Sequence, residues 1–328
     1  MPMTAPLSAK IPTATTLKPQ RMKTITQMIL SFTLLALVAC GGDGDDIIVE
    51  RNTQKPSATV VNNNRNTTGP KAAQTRYEFP KLKEGYSEVI VHECTLNNKT
   101  GEAGVNYSLE WDHQRRATRW VCYQIYASIS QSNYSRPDED PWAYDPKVPE
   151  DEQQATYNEL SKSYFPSTGS FYEKGHIVAS ADRLCTREAN YQTFYMTNIY
   201  PMVHNFNGGI WATMEKRVRI WGGQADTLYV CKGGTIDKAD GILNYTKGNH
   251  IVPKYFYMAV LSKKGSQWEA MAFWIEHQDV TSWKALQEYA ISIDALESKT
   301  GLDFFCNLPD DIENKVESTL TLSYWNLK

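Results

Sequence analysis

The sequence predicts an α+β domain, with a central, mostly antiparallel β-sheet and helices at its flanks. Six short segments rich in aromatic and aliphatic residues predict strands, and a polar turn at 112–118 joins the second strand to the third. Segments with helical signals lie between or after these strands, so helices interrupt the strand order. The predicted strands are 89–92, 107–111, 120–126, 228–230, 255–261 and 270–275.

The predicted helices are 152–164, 208–220 and 294–299. In the last helix Asp294 and Glu297 have the spacing of a capping box, in which side chains of the first turn bind its free backbone N–H groups. Gly301 is expected to end this helix, because glycine adopts the left-handed conformation that closes many helices.

Length and composition favour one large folded domain. The chain has 328 residues, of which 41% are hydrophobic and 12% aromatic, enough for a sizeable core and too many for a disordered protein. From residue 77 to the end the composition stays globular, without a second linker or an internal repeat. We therefore expect one domain over 77–328.

The N-terminal residues 1–39 predict a leader and a lipoprotein signal peptide. Lys23 precedes an uncharged stretch, 28–39, that ends in Leu-Val-Ala before Cys40. Such a stretch is too short to span a bilayer. It resembles the lipobox of bacterial lipoproteins, which implies that Cys40 is lipidated and becomes the mature N-terminus. An ordinary signal peptide with a chance cysteine, or a failed transmembrane helix, is the alternative.

Residues 40–76 predict the lipidated cysteine and a flexible tether. They include an acidic patch and an asparagine-rich run around Asn64, with too few apolar residues to offset the entropy of ordering. The acidic patch resembles a surface-export signal. The predicted location is the bacterial cell envelope, at the outer membrane, with the periplasmic and surface faces both open.

Charge and cysteine usage exclude two simple functions. Residues 1–39 hold four bases and no acids, so the mature chain carries a net charge of about −7. Non-specific binding to nucleic acid through bulk charge needs many Lys and Arg contacts, so any such function requires a local site. The five cysteines after Cys40 have no zinc-ligand spacing, and their disulfide pairing is left open.

Three segments between residues 172 and 219 contain unusual polar residues in a fixed order. The first is Lys174-Gly175-His176 followed by Ile-Val-Ala-Ser-Ala-Asp, the second is Thr-Asn198-Ile-Tyr-Pro, and the third runs from Asn205 through Asn-Gly-Gly-Ile-Trp to Glu215. Together they resemble the DNA/RNA non-specific endonucleases of the ββα-metal or His-Me finger type, which include mitochondrial endonuclease G. The resemblance implies a ββα-metal active site and DNA and RNA as substrates.

Residue chemistry is consistent with this implication. His176 can act as a general base, since imidazole is mostly neutral at envelope pH. Asn207 offers the hard amide oxygen that Mg2+ accepts, with Mn2+ or another divalent cation as alternatives. On an ideal helix Glu215 would lie within about 80° of the face of Asn207 but about 12 Å away, so it would hold the cation through water unless the helix starts after Asn207.

The remaining site residues follow from the matched segments. Asn198 is expected to orient the cation's surroundings or the histidine, and Arg219 to steer Glu215 from one helical turn away. Lys174, Arg136 and Arg219 are the predicted phosphate-binding residues. Gly175 is expected to give the phosphate backbone room.

Three positions depart from the family pattern. Lys174, preceded by Glu173, stands where the family has Arg preceded by Asp, which keeps the charge but loses the bidentate fork. Met202 replaces a usual Gln, which puts one polar contact in doubt.

The predicted function is a metal-dependent endonuclease that hydrolyses phosphodiester bonds in DNA and RNA with little sequence specificity. Its predicted partners are these nucleic acids and a membrane, reached through the lipid anchor at Cys40. Two alternatives are a non-catalytic surface lipoprotein that keeps the fold as a binding module, and a phosphodiesterase for small nucleotides.

Overall fold

The computed structural model of the chain describes residues 61–67, 72–83, 85 and 87–327. Its strands are β1 Ser87–Asn97, β2 Glu102–Asp112, β3 Ala117–Tyr126, β4 Tyr172–His176, β5 Ile199–Val203, β6 Thr227–Gly234, β7 Ile242–Tyr245, β8 Ile251–Pro253, β9 Tyr255–Lys264, β10 Gln267–Glu276 and β11 Ala290–Ile291. Its α-helices are α1 Glu150–Asn158, α2 Arg187–Gln192, α3 Ala212–Gly222, α4 Ile293–Thr300 and α5 Asp310–Ser318.

Seven of these strands form one antiparallel sheet in the order β1-β2-β3-β6-β9-β10-β11. All six predicted strands lie inside members of this sheet, and the predicted α+β class is confirmed. Two smaller antiparallel pairs, β4 with β5 and β7 with β8, lie outside it.

Both faces of the central sheet are covered. Along β3, Val121 and Tyr123 pack into a first hydrophobic core, while Trp120 and Cys122 pack into a second. Successive side chains of a strand point to opposite faces, so one core lies on each side of the sheet. The first core contains residues of β4, β5 and α3, and the second contains residues of α4 and α5.

The predicted helix 208–220 is interrupted. Residues Phe206–Trp211 form a wider π-helical turn, and Gly209, with φ −95° and ψ −106°, breaks it before α3 begins at Ala212. The predicted helix 152–164 is also shorter, since α1 ends at Asn158 and a separate 3-10 turn, Leu160–Lys162, follows.

The N-terminal cap of helix α4 differs from the predicted one. Ser292, not Asp294, caps the helix, because its side chain accepts the N–H of Ala295. Glu297 accepts the N–H of Phe304 instead of completing a capping box. Gly301 ends α4 with a φ of 69°, as predicted.

Four elements near the functional residues were not predicted: β4, β5, α2 and α5. Strand β4 contains Glu173-Lys174-Gly175-His176, which has no apolar alternation, and it is held by its register with β5, in which His176 pairs with Ile199. Helix α2 has six residues, too few for a helical period to be visible.

The boundary between tether and domain lies earlier than predicted, because the asparagine-rich run packs on the domain. Asn62 donates to the backbone of Leu308 at 2.5 Å, and Asn64 donates to Glu313 at 2.8 Å. Asn66 is buried and donates to Pro80 at 3.1 Å. Residues 61–67 are therefore part of the globular unit, which begins before residue 77.

The predicted signal peptide and Cys40 lie outside the described residues. Within the described part of the chain, no helix is long and apolar enough to cross a membrane. The other five cysteines are all buried and free of disulfides: Cys94, Cys122, Cys185, Cys231 and Cys306.

Candidate active site

Strand β4, helix α3 and the loops that contain Trp142 and Ala181 line a polar cavity of about 510 Å³. Five of the seven residues predicted to catalyse, bind phosphate or hold a metal line this cavity, although they come from four separate segments. They are Arg136, Lys174, His176, Asn207 and Glu215. The remaining two, Asn198 and Arg219, contact residues behind the cavity wall.

His176 lies at the end of β4 between two aromatic rings. Its ring centroid is 5.1 Å from that of Trp142 and 5.0 Å from that of Phe194. Burial and, secondarily, the positive charge of Arg136 lower the pKa of His176 to about 3. The imidazole is therefore neutral, and its Nε2 has no hydrogen-bond partner among the described residues.

Asn198, which was expected to orient the cation's surroundings or the histidine, binds the backbone beside His176. Its amide nitrogen donates to the carbonyls of Val178 at 3.0 Å and Thr193 at 2.7 Å, and its Oδ1 accepts the N–H of Val178 at 2.8 Å. Its own carbonyl accepts the N–H of Ile177. Asn198 therefore holds the backbone that follows His176 and does not face the cavity.

Asn207 is oriented by Glu173. Its amide nitrogen donates to Glu173 Oε2 at 3.1 Å, and an amide beside a carboxylate must present its NH₂ group to the acid. The amide oxygen is consequently the atom that remains for another ligand. Because the break at Gly209 separates Asn207 from α3, the ideal-helix separation from Glu215 does not apply, and both residues line one cavity.

Glu215 carries a strongly shifted carboxyl group. Burial raises its pKa to about 7, and the charge of Asp182 acts in the same direction, while the nearby charges of Lys232 and Arg219 oppose the rise. Lys232 is the largest of the opposing influences. Glu215 is thus poised between its two protonation states near neutral pH.

Lys232 is a functional candidate that the sequence reasoning missed. It lies on β6 with a fully buried side chain, and its Nζ is 3.9 Å from Asp182 Oδ2 without a hydrogen-bond partner among the described residues. Burial lowers the pKa of Lys232, against the raising effect of Asp182 and Glu215. A lysine directly after the apolar run Leu228 to Cys231, within the same strand, was the available signal.

Arg219 binds Asp182 instead of Glu215. Its Nη1 donates to Asp182 Oδ1 at 2.8 Å, and Asp182 also accepts the hydroxyl of Tyr123 at 2.7 Å. The guanidinium of Arg219 is thus engaged by Asp182 and does not line the cavity, and its contact with phosphate stays a prediction. Its charge still acts on Glu215 through space.

The two other predicted phosphate-binding residues reach the cavity. Arg136 is half-exposed and donates to Asp140 Oδ1 and Oδ2 at 2.6 and 2.7 Å. Lys174 Nζ lies 5.3 Å from the ring centroid of Trp142, and burial lowers its pKa. A pocket with two cations beside aromatic walls can receive one phosphate group.

Gly175 and Met202 are explained by packing. A Cβ at Gly175 would lie 2.3 Å from the sulfur of Met202, so glycine is required where β4 crosses this buried side chain. The predicted role of Gly175 in making room for phosphate is replaced by this contact. Met202 is fully buried and belongs to the core.

The donor set of the cavity fits a hard divalent cation. The amide oxygen of Asn207 and the carboxylate of Glu215 are the oxygen ligands that Mg2+ and Ca2+ accept, and cysteine is absent from the lining. An incompletely neutralised carboxylate beside an amide oxygen fits a cation better than it fits a phosphate alone.

Strands β4 and β5 and helix α3 form a ββα unit. Its cavity combines a neutral imidazole, oxygen donors and two cations, which are the residue types of a hydrolase that acts on phosphate esters. A family model described as DNA/RNA non-specific endonuclease matches residues 88–311. The chain belongs to this family, and it is a nuclease.

Curated relatives agree with this assignment. The chain is 31% identical over 266 residues to a nuclease of Nostoc sp., covering 74% of this chain and 90% of the relative. It is 26% identical over 213 residues to human mitochondrial endonuclease G, covering 62% and 68% of the two chains.

A solved structure shares the fold. The match is to a chain in the crystal structure of the EndoG/EndoGI complex, with a TM-score of 0.53 and 21% identity. It covers 63% of this chain and 85% of the other. At this identity the likeness supports the fold alone.

Proposed function

We propose that this nuclease is a metal-dependent endonuclease that cleaves DNA and RNA with little sequence preference, with His176 as its general base. One observation carries the proposal: the unpaired, neutral imidazole of His176 shares a cavity with oxygen donors and two cationic side chains, Arg136 and Lys174. The family and its relatives support nucleic acid as the substrate.

His176 takes the proton of the attacking water in this mechanism. A pKa of about 3 keeps the ring unprotonated at any envelope pH, but it also makes the free imidazole a weak base. A bound phosphate adds negative charge beside the ring, which offsets Arg136, the smaller of the two causes, and raises the pKa of His176. The base is therefore activated when substrate is present.

Asn207 and Glu215 are the residues that would hold the divalent cation, and Mg2+ is the ion that we propose. When bound, the cation supplies charge neutralisation at the phosphate and at the departing oxygen. Glu173 fixes the orientation of Asn207, and Lys232 with Arg219 favours the charged form of Glu215. The neighbours of Asn207 and Glu215 thus set the orientation of the amide and the charge of the carboxylate.

Arg136 and Lys174 bind the scissile phosphate in this proposal. Arg136 is held by Asp140, which orients the guanidinium without burying it. Lys174 keeps a point charge where a guanidinium would form two parallel bonds, so it attracts phosphate with less control of geometry. We expect weaker substrate positioning, with the base intact.

The test is a cleavage assay of the full chain on plasmid DNA, structured RNA and bis-p-nitrophenyl phosphate, with Mg2+, with Mn2+ and with EDTA. His176→Ala should reduce Mg2+-dependent cleavage of both nucleic acids by about 10²- to 10⁴-fold. His113→Ala, which removes a histidine outside the cavity, is the matched control and should stay active.

Full cleavage by His176→Ala would refute the role of the base. Nucleic-acid binding without cleavage by the wild type, at every metal concentration, would instead support the binding-module alternative. Cleavage confined to the small diester would support the phosphodiesterase alternative.

We also propose that Cys40 is lipidated and holds the protein at the outer membrane of a bacterial envelope. The uncharged stretch before Leu-Val-Ala-Cys40 supports this location. Cys40→Ser should move the protein from the membrane fraction to the soluble fraction and abolish labelling by a radioactive fatty acid. Labelling that persists in Cys40→Ser would contradict it.

A further inference from the structure

A cluster of carboxylates lies between α4 and α5, on the sheet face opposite the polar cavity. Asp294 and Glu297 come from α4, and Glu317 comes from the last turn of α5. One carboxylate oxygen from each residue lies within 4.8 Å of the others. The helices belong to the second core, so this cluster is separate from the proposed active site.

Glu317 is the unusual member of the cluster. Its side chain is only 8% exposed, and its Oε1 has no hydrogen-bond partner among the described residues. A buried carboxylate oxygen without a partner is costly, and native structures normally satisfy such an atom with water or an ion. This atom points to a ligand that the protein side chains do not provide.

The surroundings of Glu317 are acidic. Burial first, and then the charges of its neighbours, raise the pKa of Glu317 to about 10; these neighbours are Glu297, Glu313, Asp303 and Asp294. Lys81, a cation near this region, donates to the carbonyls of Asn64 and Arg65 and acts on Asp303.

We propose that Asp294, Glu297 and Glu317 form a second, structural cation site that takes Ca2+ and fastens α4 to α5. Oxygens that share an ion at 2.3–2.6 Å are at most about 5 Å apart, and the observed limit of 4.8 Å agrees with this spacing. Glu297 uses one oxygen to accept the N–H of Phe304, which leaves the other for the ion.

Ca2+ suits the geometry of this site better than Mg2+. Ca2+ tolerates irregular geometry and several carboxylates, whereas Mg2+ demands a near-ideal octahedron and keeps most of its waters. Asp294 is exposed, so the site has an open side through which the ion enters and waters complete its coordination. Binding would release the protons held by the cluster.

The test compares thermal unfolding of the chelator-stripped full chain with and without Ca2+. The Asn207→Ala variant is the background, because it removes an oxygen donor of the proposed active-site cation. Ca2+ in 100-fold excess over its dissociation constant should raise the Tm of Asn207→Ala by about 5 °C or more. Equilibrium dialysis should find one Ca2+ per chain.

Adding Glu317→Gln to this background should abolish the Ca2+-induced shift. Asp311→Asn, which removes an exposed acid from the same helix outside the cluster, is the matched control and should keep the shift. Should the glutamine variant fail to fold, Asp294→Asn replaces it and should weaken Ca2+ binding at least 10-fold.

Three results would overturn the proposal: no Ca2+ shift in the Asn207→Ala background, a full shift in the presence of Glu317→Gln, or a shift with Mg2+ alone. Each is independent of cleavage. Failure of the nuclease mechanism and failure of this site are therefore distinguishable.

Discussion

Glu215 and Glu317 lie on opposite faces of one sheet, and burial raises the pKa of both, but they have different neighbours. Glu215 is accompanied by Lys232 and Arg219, which limit its pKa to about 7. Glu317 is surrounded by other carboxylates, and its pKa rises to about 10. The neighbours thus decide which buried acid can be charged near neutral pH without a bound cation.

This difference separates two kinds of oxygen site. The polar cavity supplies its own counter-charges, keeps a carboxylate available and remains open to a substrate. The acidic cluster supplies none, so it must hold protons or a cation. We expect substitutions on the cavity face to change catalysis and substitutions in the cluster to change stability.

The largest effect is expected from Asn207→Ala. Loss of the amide oxygen that Glu173 orients should lower kcat/KM by about 10³-fold, because charge neutralisation by a cation contributes several kcal/mol to the barrier. Steady-state cleavage as a function of Mg2+ concentration measures the loss. Unchanged kcat/KM and unchanged Mg2+ dependence would remove Asn207 from the site.

Lys232→Met should have an intermediate effect that depends on pH. Lys232 opposes the pKa rise of Glu215, so its removal raises that pKa further. As the pH falls, Glu215 then becomes protonated at a higher pH than in the wild type. The acidic limb of the kcat/KM profile should move upward by about one unit, with about a 10-fold loss below it.

The pH profile distinguishes this charge effect from a packing defect. Lys238→Met, an exposed lysine beyond the end of β6, is the control and should leave the limb in place. A uniform loss at every pH in Lys232→Met would show that Lys232 contributes only to packing.

Glu317→Gln should stabilise the calcium-free protein by about 1–3 kcal/mol at pH 8. The pKa of Glu317 is near 4.5 in the unfolded chain and about 10 in the folded chain. Its contribution to the free energy of unfolding is therefore fully present below pH 4.5 and is lost as the pH rises toward about 10. Glutamine carries no such penalty, so its advantage should grow from pH 5 to pH 8. Urea unfolding in EDTA measures it, and a pH-independent difference would contradict it.

The smallest effect is expected from Lys174→Arg. The guanidinium restores a bidentate donor while keeping the contact with the ring of Trp142, so KM should fall by about two- to three-fold with kcat nearly unchanged. Steady-state kinetics on a short duplex separates the two constants. A fall in kcat would show instead that the ammonium is better placed than a guanidinium.

Much of the fold and site could be predicted from local patterns. The six strand predictions succeeded because aromatic and aliphatic runs of four to eight residues are typical of buried strands. His176, Asn207 and Glu215 were found because three segments keep their order and residue types along the chain. These signals are local, so they can be identified in the sequence without knowledge of packing.

The remaining features depend on contacts between distant segments. Strand β4 exists because β5 pairs with it, and the break at Gly209 is visible only in backbone angles. Arg219 was expected to steer Glu215 and instead binds Asp182, because sequence spacing on one element cannot show which side chain approaches from another.

The sequence by itself determined the class of the domain, its family and the chemistry available to it, since these follow from residue types and their order. Only the tertiary structure decided which charges meet. Lys232 and Asp182 are fifty residues apart along the chain, yet both act on Glu215, and α5 brings Glu317 to the acids of α4. Electrostatic interactions depend on distance in space, which residue spacing does not encode.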